Sequence, residues 1–277
     1  MIRILIYIIF LSFNLHPIGF EALSIPSNSI EMSLSGAGVA AQYSESVNPS
    51  TNINKLSKIG FSANKWITDI NGSSFYYTNN DYRITYSSFK ANDIEVRNNI
   101  PSDEPIDIIE SNFLSFGISK GCNLPKNFKL GIGAKFNYSQ LFIDQIYTLT
   151  FDLGLQNQLT ENIQAGILIQ NIGLDNLDIP TKYGIGLSYY LSKTKTEFLL
   201  DYINTKYYDA GISLGITQTI KMLTLNVGYS QFSNFKTTFS SGIKINLNKK
   251  YNFLYSLLSI ENSNFGFAHY FGFEISL

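Results

Sequence analysis

The chain has few of the residues that carry chemistry in proteins. It contains one cysteine, Cys122, and two histidines, His16 and His269, among 277 residues. A single cysteine excludes an internal disulfide, and these residues lack the spacing of a zinc site. The sequence also lacks a Gly-x-Ser-x-Gly motif and a phosphate-binding loop. We therefore expect no enzyme activity, with no catalytic residue, no metal site and no cofactor.

Charged residues are scarce as well. They make up 15% of the sequence, whereas soluble domains carry about 25%. The formal net charge is −1, so no basic surface points to a nucleic-acid partner. Aromatic residues are abundant instead, with 21 Phe and 18 Tyr against a single Trp. Strands and membrane interfaces use these residues, so the composition favours a β protein, either soluble or in a membrane.

Long hydrophobic runs are missing outside the N-terminus, so no helical membrane anchor is expected. Residues 1–22 are typical of a secretory signal peptide, because Arg3 precedes an apolar run that is too short to span a membrane. Small residues near Ala22 provide the exit from this run. A buried N-terminal strand is the alternative for this stretch. An exported chain without a helical anchor is periplasmic, secreted or an outer-membrane barrel.

Alternation of apolar and polar residues holds from residue 58 to residue 277. The range accommodates about fourteen strands of roughly 16 residues each with its turn, which suits tilted membrane-spanning strands. In the last thirteen residues, 265–277, the large apolar side chains share one face, and the small or polar side chains share the other. These patterns predict an all-β fold, a transmembrane antiparallel β-barrel of about 14 strands in the bacterial outer membrane.

The charges within the strands fall on the phase opposite the apolar set. A Lys or Arg that faced lipid at mid-membrane would cost roughly 2–4 kcal/mol, so a consistent side matters. Glu197 and Asp201 follow the same rule, although Leu199 and Ile203 blur that strand. A half-buried soluble sheet would show the same parity, and the scarcity of charge favours the barrel. The charges predicted to face the lumen are Arg83, Lys135, Asp152, Asp209 and Lys244.

The lengths of the connections predict an orientation. The three longest connections, 91–110, 139–145 and 173–181, each follow an odd-numbered strand. With the N-terminus in the periplasm, all three lie on the extracellular side, where barrels keep their longer loops.

Residues 23–57 do not alternate, and they predict an irregular or partly helical segment. The hatch motif within them consists of the small residues Gly36 and Gly38 and the turn Asn48-Pro49. A barrel of about fourteen strands has a wide lumen, so we expect this segment to lie inside the barrel and to limit the passage of solutes. Glycines of the inward phase would leave room for it, namely Gly131, Gly133, Gly154, Gly184, Gly186, Gly211 and Gly215.

Short motifs resemble the PorV/PorQ family of outer-membrane barrels. The run from Gly36 to Ala40, the tripeptide Asn48-Pro49-Ser50 and the sequence Asn171-Ile172-Gly173 are similar to motifs of that family. An acidic pair of the family is reduced here to Glu45. The resemblance implies a fourteen-stranded barrel with an N-terminal hatch segment.

The resemblance also implies a function. Members of the family include components of the type IX secretion system, so it implies a secretion-associated membrane protein with outer-membrane lipid, other secretion proteins or secreted cargo as partners. The family is related to FadL-type transporters, and a channel for hydrophobic small molecules is the alternative. A secreted soluble β-sandwich adhesin is the competitor from another class.

Membrane residence is testable directly. A folded outer-membrane barrel should sediment with membranes, require detergent for extraction and change its gel mobility on boiling. Membrane fractionation followed by a heat-modifiability gel measures all three properties. A chain that stays soluble without detergent, and whose mobility does not change on boiling, would contradict the barrel.

Overall fold

The computed structural model describes residues 18–42, 48–53, 55–66, 70–97, 103–174, 177–206, 209–233, 235–248, 250–261 and 266–277. Its strands are β1 (Lys55–Lys65), β2 (Ile70–Asn80), β3 (Tyr82–Val96), β4 (Asp107–Asn123), β5 (Phe128–Leu141), β6 (Asp144–Gln158), β7 (Ile163–Gly173), β8 (Lys182–Leu191), β9 (Thr196–Thr205), β10 (Asp209–Ile220), β11 (Leu223–Phe232), β12 (Phe235–Leu247), β13 (Tyr251–Ile260) and β14 (Ala268–Ser276). The fourteen strands form one closed antiparallel barrel, in which β14 pairs with β1. The predicted fold and strand number are confirmed.

The outer surface of the barrel carries the large apolar side chains. On β6, Leu149, Phe151 and Leu153 are 37–47% exposed, whereas the intervening Thr150 and Asp152 are buried. The same alternation holds on β14, where Phe271 is exposed while its neighbour Tyr270 is fully buried. In a soluble protein, this surface would expose a continuous apolar band to water. Contact with lipid avoids that exposure, so the surface is typical of a protein in a membrane.

Several strand ends differ from the sequence-based prediction. The predicted long connection 139–145 is a turn of two residues, 142–143, because β5 and β6 pair as far as Leu141 and Asp144. The predicted connection 91–110 is shorter, because β3 and β4 continue to pair up to Val96 and Asp107. The pairing passes an irregularity between Ala91 and Ile94, where Asp93 has a φ of 56°. A bulge adds an unpaired residue and interrupts the alternation by which strands are recognised in a sequence. At the other end, β1 begins at Lys55, ahead of its regular pairing from residue 58.

Within residues 18–42 and 48–53, three short helices precede the barrel. They are a 3-10 helix (Ile18–Ser24), the helix α1 (Ser29–Ser33) and a second 3-10 helix (Pro49–Thr51). Asn28 begins α1, and its side chain accepts hydrogen bonds from the backbone N–H groups of Ile30 and Glu31. Among the described residues, no helix has the length and apolar character needed to cross a membrane. Of the predicted signal peptide, residues 1–17 lie outside the described residues.

The seam between the first and last strands is bridged from the inside. Glu274 on β14 is 3% exposed, and its carboxylate accepts hydrogen bonds from the Tyr76 hydroxyl, from Lys244 Nζ at 2.6 Å and from Asn252 Nδ2 at 3.0 Å. Gly60 of β1 pairs with both Glu274 and Tyr76. A Cβ at Gly60 would lie 2.2 Å from the Tyr76 ring. Glycine therefore lets the tyrosine reach across β1 to the last strand.

Removal of the Glu274 charge should weaken the barrel. The variant Glu274→Gln leaves the Lys244 ammonium without its carboxylate, and breaking a buried pair in this way costs about 3 kcal/mol. Urea titration in lipid vesicles, followed by the heat-modifiable gel band, measures the loss. The control Glu261→Gln lies in an exposed turn and should change stability by less than about 0.5 kcal/mol. Equal midpoints for the two variants would contradict a role for the seam network.

Candidate functional site

The N-terminal segment, as far as residues 18–42 and 48–53 describe it, contacts the inward face of the barrel. Met32 and Leu34 have no exposed surface. Met32 packs with Leu258 and Tyr270, and Leu34 belongs to a second apolar cluster, with Leu199. Apolar side chains therefore anchor the segment in addition to its polar contacts.

Two buried carboxylates of β9 bind the backbone of this segment. Asp201 has no exposed surface, and its Oδ2 accepts hydrogen bonds from Gly38 N at 2.6 Å and Val39 N at 2.9 Å. Glu197 is 1% exposed, and its Oε1 accepts one from Gln42 N at 2.6 Å. Hydrogen bonds to a charged acceptor are about twice as strong as those between neutral groups. They satisfy backbone donors that water does not reach.

Amide side chains of the wall bind the carbonyl groups of the same stretch. Gln156 Nε2 on β6 donates to Val39 O at 3.0 Å. Gln164 Nε2 on β7 donates to Ala40 O and Ala41 O, each at 3.3 Å. Since an unpaired buried carbonyl is costly, these two glutamines complete the hydrogen bonding of a non-helical backbone.

Asn48 joins the two described parts of the segment to each other and to the wall. Its Nδ2 donates to Val39 O at 2.8 Å and to Ile167 O at 3.2 Å. Its Oδ1 accepts from the backbone N–H and the hydroxyl of Ser50, which begins the 3-10 helix Pro49–Thr51. The side chain has no exposed surface. The Asn-Pro of the hatch motif therefore has a specific structural task.

Glycines of the wall admit the segment at close range. A Cβ at Gly131 would lie 2.1 Å from Pro49 C and from Ser50 N, and one at Gly154 would lie 1.8 Å from Asn48 Oδ1. Two of the expected glycines, Gly133 and Gly211, instead face other atoms of the barrel. The other inward glycines close to the segment are Gly121, Gly166, Gly184, Gly186, Gly215, Gly228 and Gly242.

The glycines of the motif itself are placed differently. Gly36 has a φ of 77°, and no atom lies within 4 Å of the position of its Cβ. It borders a cavity and is required for its backbone conformation. Gly38 has a φ of 145° and presents its N–H to Asp201.

Lys135 and Asp152 form an ion pair inside the barrel. Their Nζ and Oδ2 atoms are 2.7 Å apart. Both also bind Asn171, whose Oδ1 accepts from Lys135 and whose N–H donates to Asp152 Oδ1 at 2.9 Å. Asn171 has a φ of 58° and lies where the pairing of β6 with β7 is irregular. The Asn-Ile-Gly motif therefore contains a bulge that aims a polar side chain inward.

The remaining charges predicted to face the lumen are placed as follows. Lys244 binds Glu274. The Arg83 guanidinium lies 4.5 Å from the centre of the Tyr76 ring, a cation–π contact. Asp209 begins β10, and its side chain is outside the described part of the structure.

The alternation of apolar and polar residues is irregular in β9 for a physical reason. Leu199 and Ile203 are apolar although they share the inward phase with Glu197 and Asp201. Leu199 is 3% exposed and belongs to one apolar cluster with Leu34 and Ala37 of the N-terminal segment. An inward apolar residue is stable here because the lumen at that level contains protein rather than water. The departure from alternation was therefore itself a signal of an internal contact.

A cavity of about 1140 Å³ lies above the segment. Residues 21–27, Ser35 and Gly36 form its floor, and its walls come from the strand ends that precede or follow the connections predicted to be extracellular. Phe89 and Phe113 on its wall are 3–5% exposed and pack with Phe20. The other apolar residues that line it are Trp66, Ile70, Ile94, Leu141, Ile203, Phe232, Leu258 and Ile260.

Polar groups are spread around the cavity wall, on most of the strands that form it, from Asn71 on β2 to Thr238 on β12. Lys135, Asn171 and Lys182 are among them, on β5, β7 and β8. In the described part of the chain, no group of three or more His, Cys, Asp or Glu side chains could hold a metal ion. The arrangement offers a binding surface.

A single added methyl group should test the contact between segment and wall. Gly131→Ala places a Cβ against the Pro49–Ser50 backbone, and overpacking of this kind costs about 1–3 kcal/mol. Limited proteolysis of the protein in vesicles should then cut residues 30–56 faster. Gly133→Ala is the control, because its Cβ would lie 3.3 Å from Ser119 Cβ and 3.4 Å from Asp152 Cβ. Equal cleavage in both variants would contradict tight packing of the segment.

Comparisons with known proteins gave no match by sequence and several by structure. The sequence matches no model of a protein family. It also matches no curated protein. The PorV/PorQ resemblance therefore stays a prediction from short motifs.

Solved structures share the fold. The toluene transporter TodX of Pseudomonas putida has a TM-score of 0.64 at 11% identity, over 90% of this chain and 98% of that one. A Pseudomonas aeruginosa FadL homologue has 0.56 at 10%, over 90% and 98%. The outer membrane protein Omp33 of Acinetobacter baumannii has 0.53 at 6%, over 82% and 100%. These similarities concern the fold: the chain has the architecture of FadL-type and other outer-membrane barrels. At the level of the fold, the predicted outer-membrane location is confirmed.

Proposed function

We propose that this protein is an outer-membrane channel for hydrophobic small molecules, in which residues 23–57 act as a hatch. The observation that carries the proposal is the cavity of about 1140 Å³, with its apolar wall, above the N-terminal segment. Export to the periplasm after removal of a signal peptide, and contact with outer-membrane lipid, belong to the same proposal.

The wall of the cavity favours an apolar ligand. Channels for hydrophilic solutes have a polar, water-filled lumen. Here Phe89 and Phe113 form one apolar region with Leu23 and Ile25, which remain after removal of the signal peptide, and Trp66 and Ile260 belong to a second. Burial of apolar surface contributes about 25 cal/mol per Å², so a hydrocarbon gains free energy on entry. The volume slightly exceeds that of ordinary ligand pockets, about 300–1000 Å³.

The contacts of the N-terminal segment favour a gate below this cavity. Gln156 and Asp201 of the wall bind the segment through hydrogen bonds, and Asn48 of the segment donates one to Ile167 O of the wall. A ligand that enters from the outer end meets residues 23–27, Ser35 and Gly36 of the hatch before it can go further. Passage to the periplasm therefore requires part of the segment to move.

The fold similarity supports this function over the secretion role. TodX is named as a toluene transporter, and a second similar structure is named as a FadL homologue. The sequence motifs placed type IX secretion first. Within the barrel, however, Gly38 and Asn48 take part in packing and hydrogen bonding of the segment. Only the motif resemblance implies secretion proteins and secreted cargo as partners.

A deletion strain separates the two roles. Loss of a hydrophobic-solute channel should slow uptake of toluene or a related hydrocarbon and leave secretion intact. Loss of a secretion component should deplete cargo from the cell surface and leave uptake intact. Measurement of both in the same strain decides between them, and neighbouring genes for secretion proteins would favour the second.

Two phenylalanines of β4 provide a matched pair for the binding site. Phe113 is 3% exposed and lines the cavity, whereas Phe116 is 54% exposed on the outer face. Phe113→Ala removes apolar contact from the ligand and should weaken binding roughly tenfold, or about 1.4 kcal/mol. Phe116→Ala should leave the affinity unchanged. Fluorescence titration of purified protein with an apolar naphthylamine probe measures both. Equal affinities would contradict binding in this cavity.

A further inference from the structure

A groove of about 580 Å³ lies on the outer surface of the barrel, where β13 and β14 meet β1 and β2. Its base consists of the small residues Ala63 on β1 and Ser73 on β2, which pair directly with each other. Both point outward, because Ala63 shares the phase of Phe61, which is 53% exposed, and paired residues face the same side of a sheet. The groove therefore opens toward lipid and is separate from the cavity inside the barrel.

The neighbouring strands carry large side chains at the level of this base. Phe271 on β14 pairs with Ala63, and on the other side Ser73 pairs with Ser88 on β3, which pairs with Leu114 on β4. The row of large residues continues around the barrel with Tyr255, Ile243, Tyr138 and Tyr147. Small residues on three adjacent strands thus interrupt a row that is otherwise large.

Aromatic rings form the lower wall of the groove, two residues closer to the middle of the membrane. They lie on five adjacent strands in one directly paired row, which consists of Phe253, Phe273, Phe61, Phe75 and Tyr86. The ring centroids of Phe61 and Phe75 are 5.0 Å apart, and so are those of Phe253 and Phe273. Because the rings contact one another, the wall is a preformed apolar surface.

Polar side chains border the groove on the opposite side. Lys65 is the next outward residue of β1 after Ala63, and it pairs with Asn71 on β2 and His269 on β14. Asn71 pairs in turn with Lys90 on β3. Successive outward residues of a strand are about 6.6–6.8 Å apart. The groove therefore lies just below the level at which charged side chains leave the hydrocarbon, at the end of the barrel predicted to be extracellular.

Membrane lipid covers this surface and has to fill the groove. An empty groove would leave the atoms of its lining without contact partners, and their dispersion energy would be lost. Lipid tails are as apolar as the side chains that they contact, so packing rather than the hydrophobic effect retains a lipid here. An acyl chain in the groove contacts Phe271 beside it and the aromatic row below it. A chain on the convex surface elsewhere contacts the protein on one side only.

We propose that the groove binds one acyl chain of a lipid in the outer leaflet, with the head group of that lipid at the level of Lys65 and Asn71. The bound chain completes the row of large groups across β1 and β2. Packing of the chain requires no free charge on the polar residues above it. The site is also independent of hydrocarbon transport through the lumen.

Native mass spectrometry of the full-length protein tests the site. The protein is reconstituted in vesicles of phosphatidylethanolamine and phosphatidylglycerol, extracted with a mild detergent and weighed intact. We expect one phospholipid per barrel to survive extraction. The double variant Ala63→Leu/Ser73→Leu fills the groove and should lower the lipid-bound fraction roughly fivefold, because the chain loses its contacts. Ala134→Leu is the matched control and should retain the lipid, because Ala134 shares the lipid-facing phase of β5 with the exposed Ile132 and Phe136.

Several results would overturn the site. They are the absence of retained lipid in the unchanged protein, equal retention in the double variant, and an equal loss in Ala134→Leu. A protein dimer that only the double variant abolishes would show that a second copy of the chain covers this face instead. The heat-modifiable band confirms folding of each variant. Should the double variant fold poorly, Phe271→Ala removes the side of the groove without added bulk, and undiminished retention in that variant would contradict the site.

Discussion

A closed barrel of fourteen strands encloses more space than its own inward side chains fill, and the rest of this structure depends on how that space is occupied. The end of the barrel at which β1 begins contains the N-terminal segment. The segment approaches Gly131 and Gly154 so closely that a Cβ would not fit at either position. The other end keeps a cavity of about 1140 Å³. Packing at one end therefore creates the binding space at the other.

Filling a lumen with non-helical backbone brings polar groups into a place with little water, and each must find a partner. The wall supplies those partners from separate strands, as Gln156, Gln164 and Asp201 show. Apolar residues such as Leu199 then fit inward as well. The inner surface of this barrel is consequently a mixture of polar and apolar groups that matches the segment, rather than the uniformly polar lining of an open pore.

The closed wall has an equivalent requirement at its seam. No loop connects the first strand directly to the last, so backbone pairing has to join β1 to β14. Glu274 adds side-chain bonds to β2, β12 and β13. The sequence places Glu274 on the small, polar face of the last strand, but its partners are more than 20 residues away along the chain. No local sequence pattern predicts these contacts. The need for glycine at position 60 is likewise evident only from the structure, where the Tyr76 ring occupies the space that a Cβ would take.

The sequence by itself determined the fourteen strands and the side of the sheet that meets lipid, because both follow from a period of two that each strand carries alone. It also marked residues 23–57 as different by their lack of alternation. Only the tertiary structure decided the extension of β3 and β4, the bulge at Asn171 and the partners of Asp201. These depend on residues distant in sequence that barrel closure brings together, and the shape of the cavity depends on them in turn.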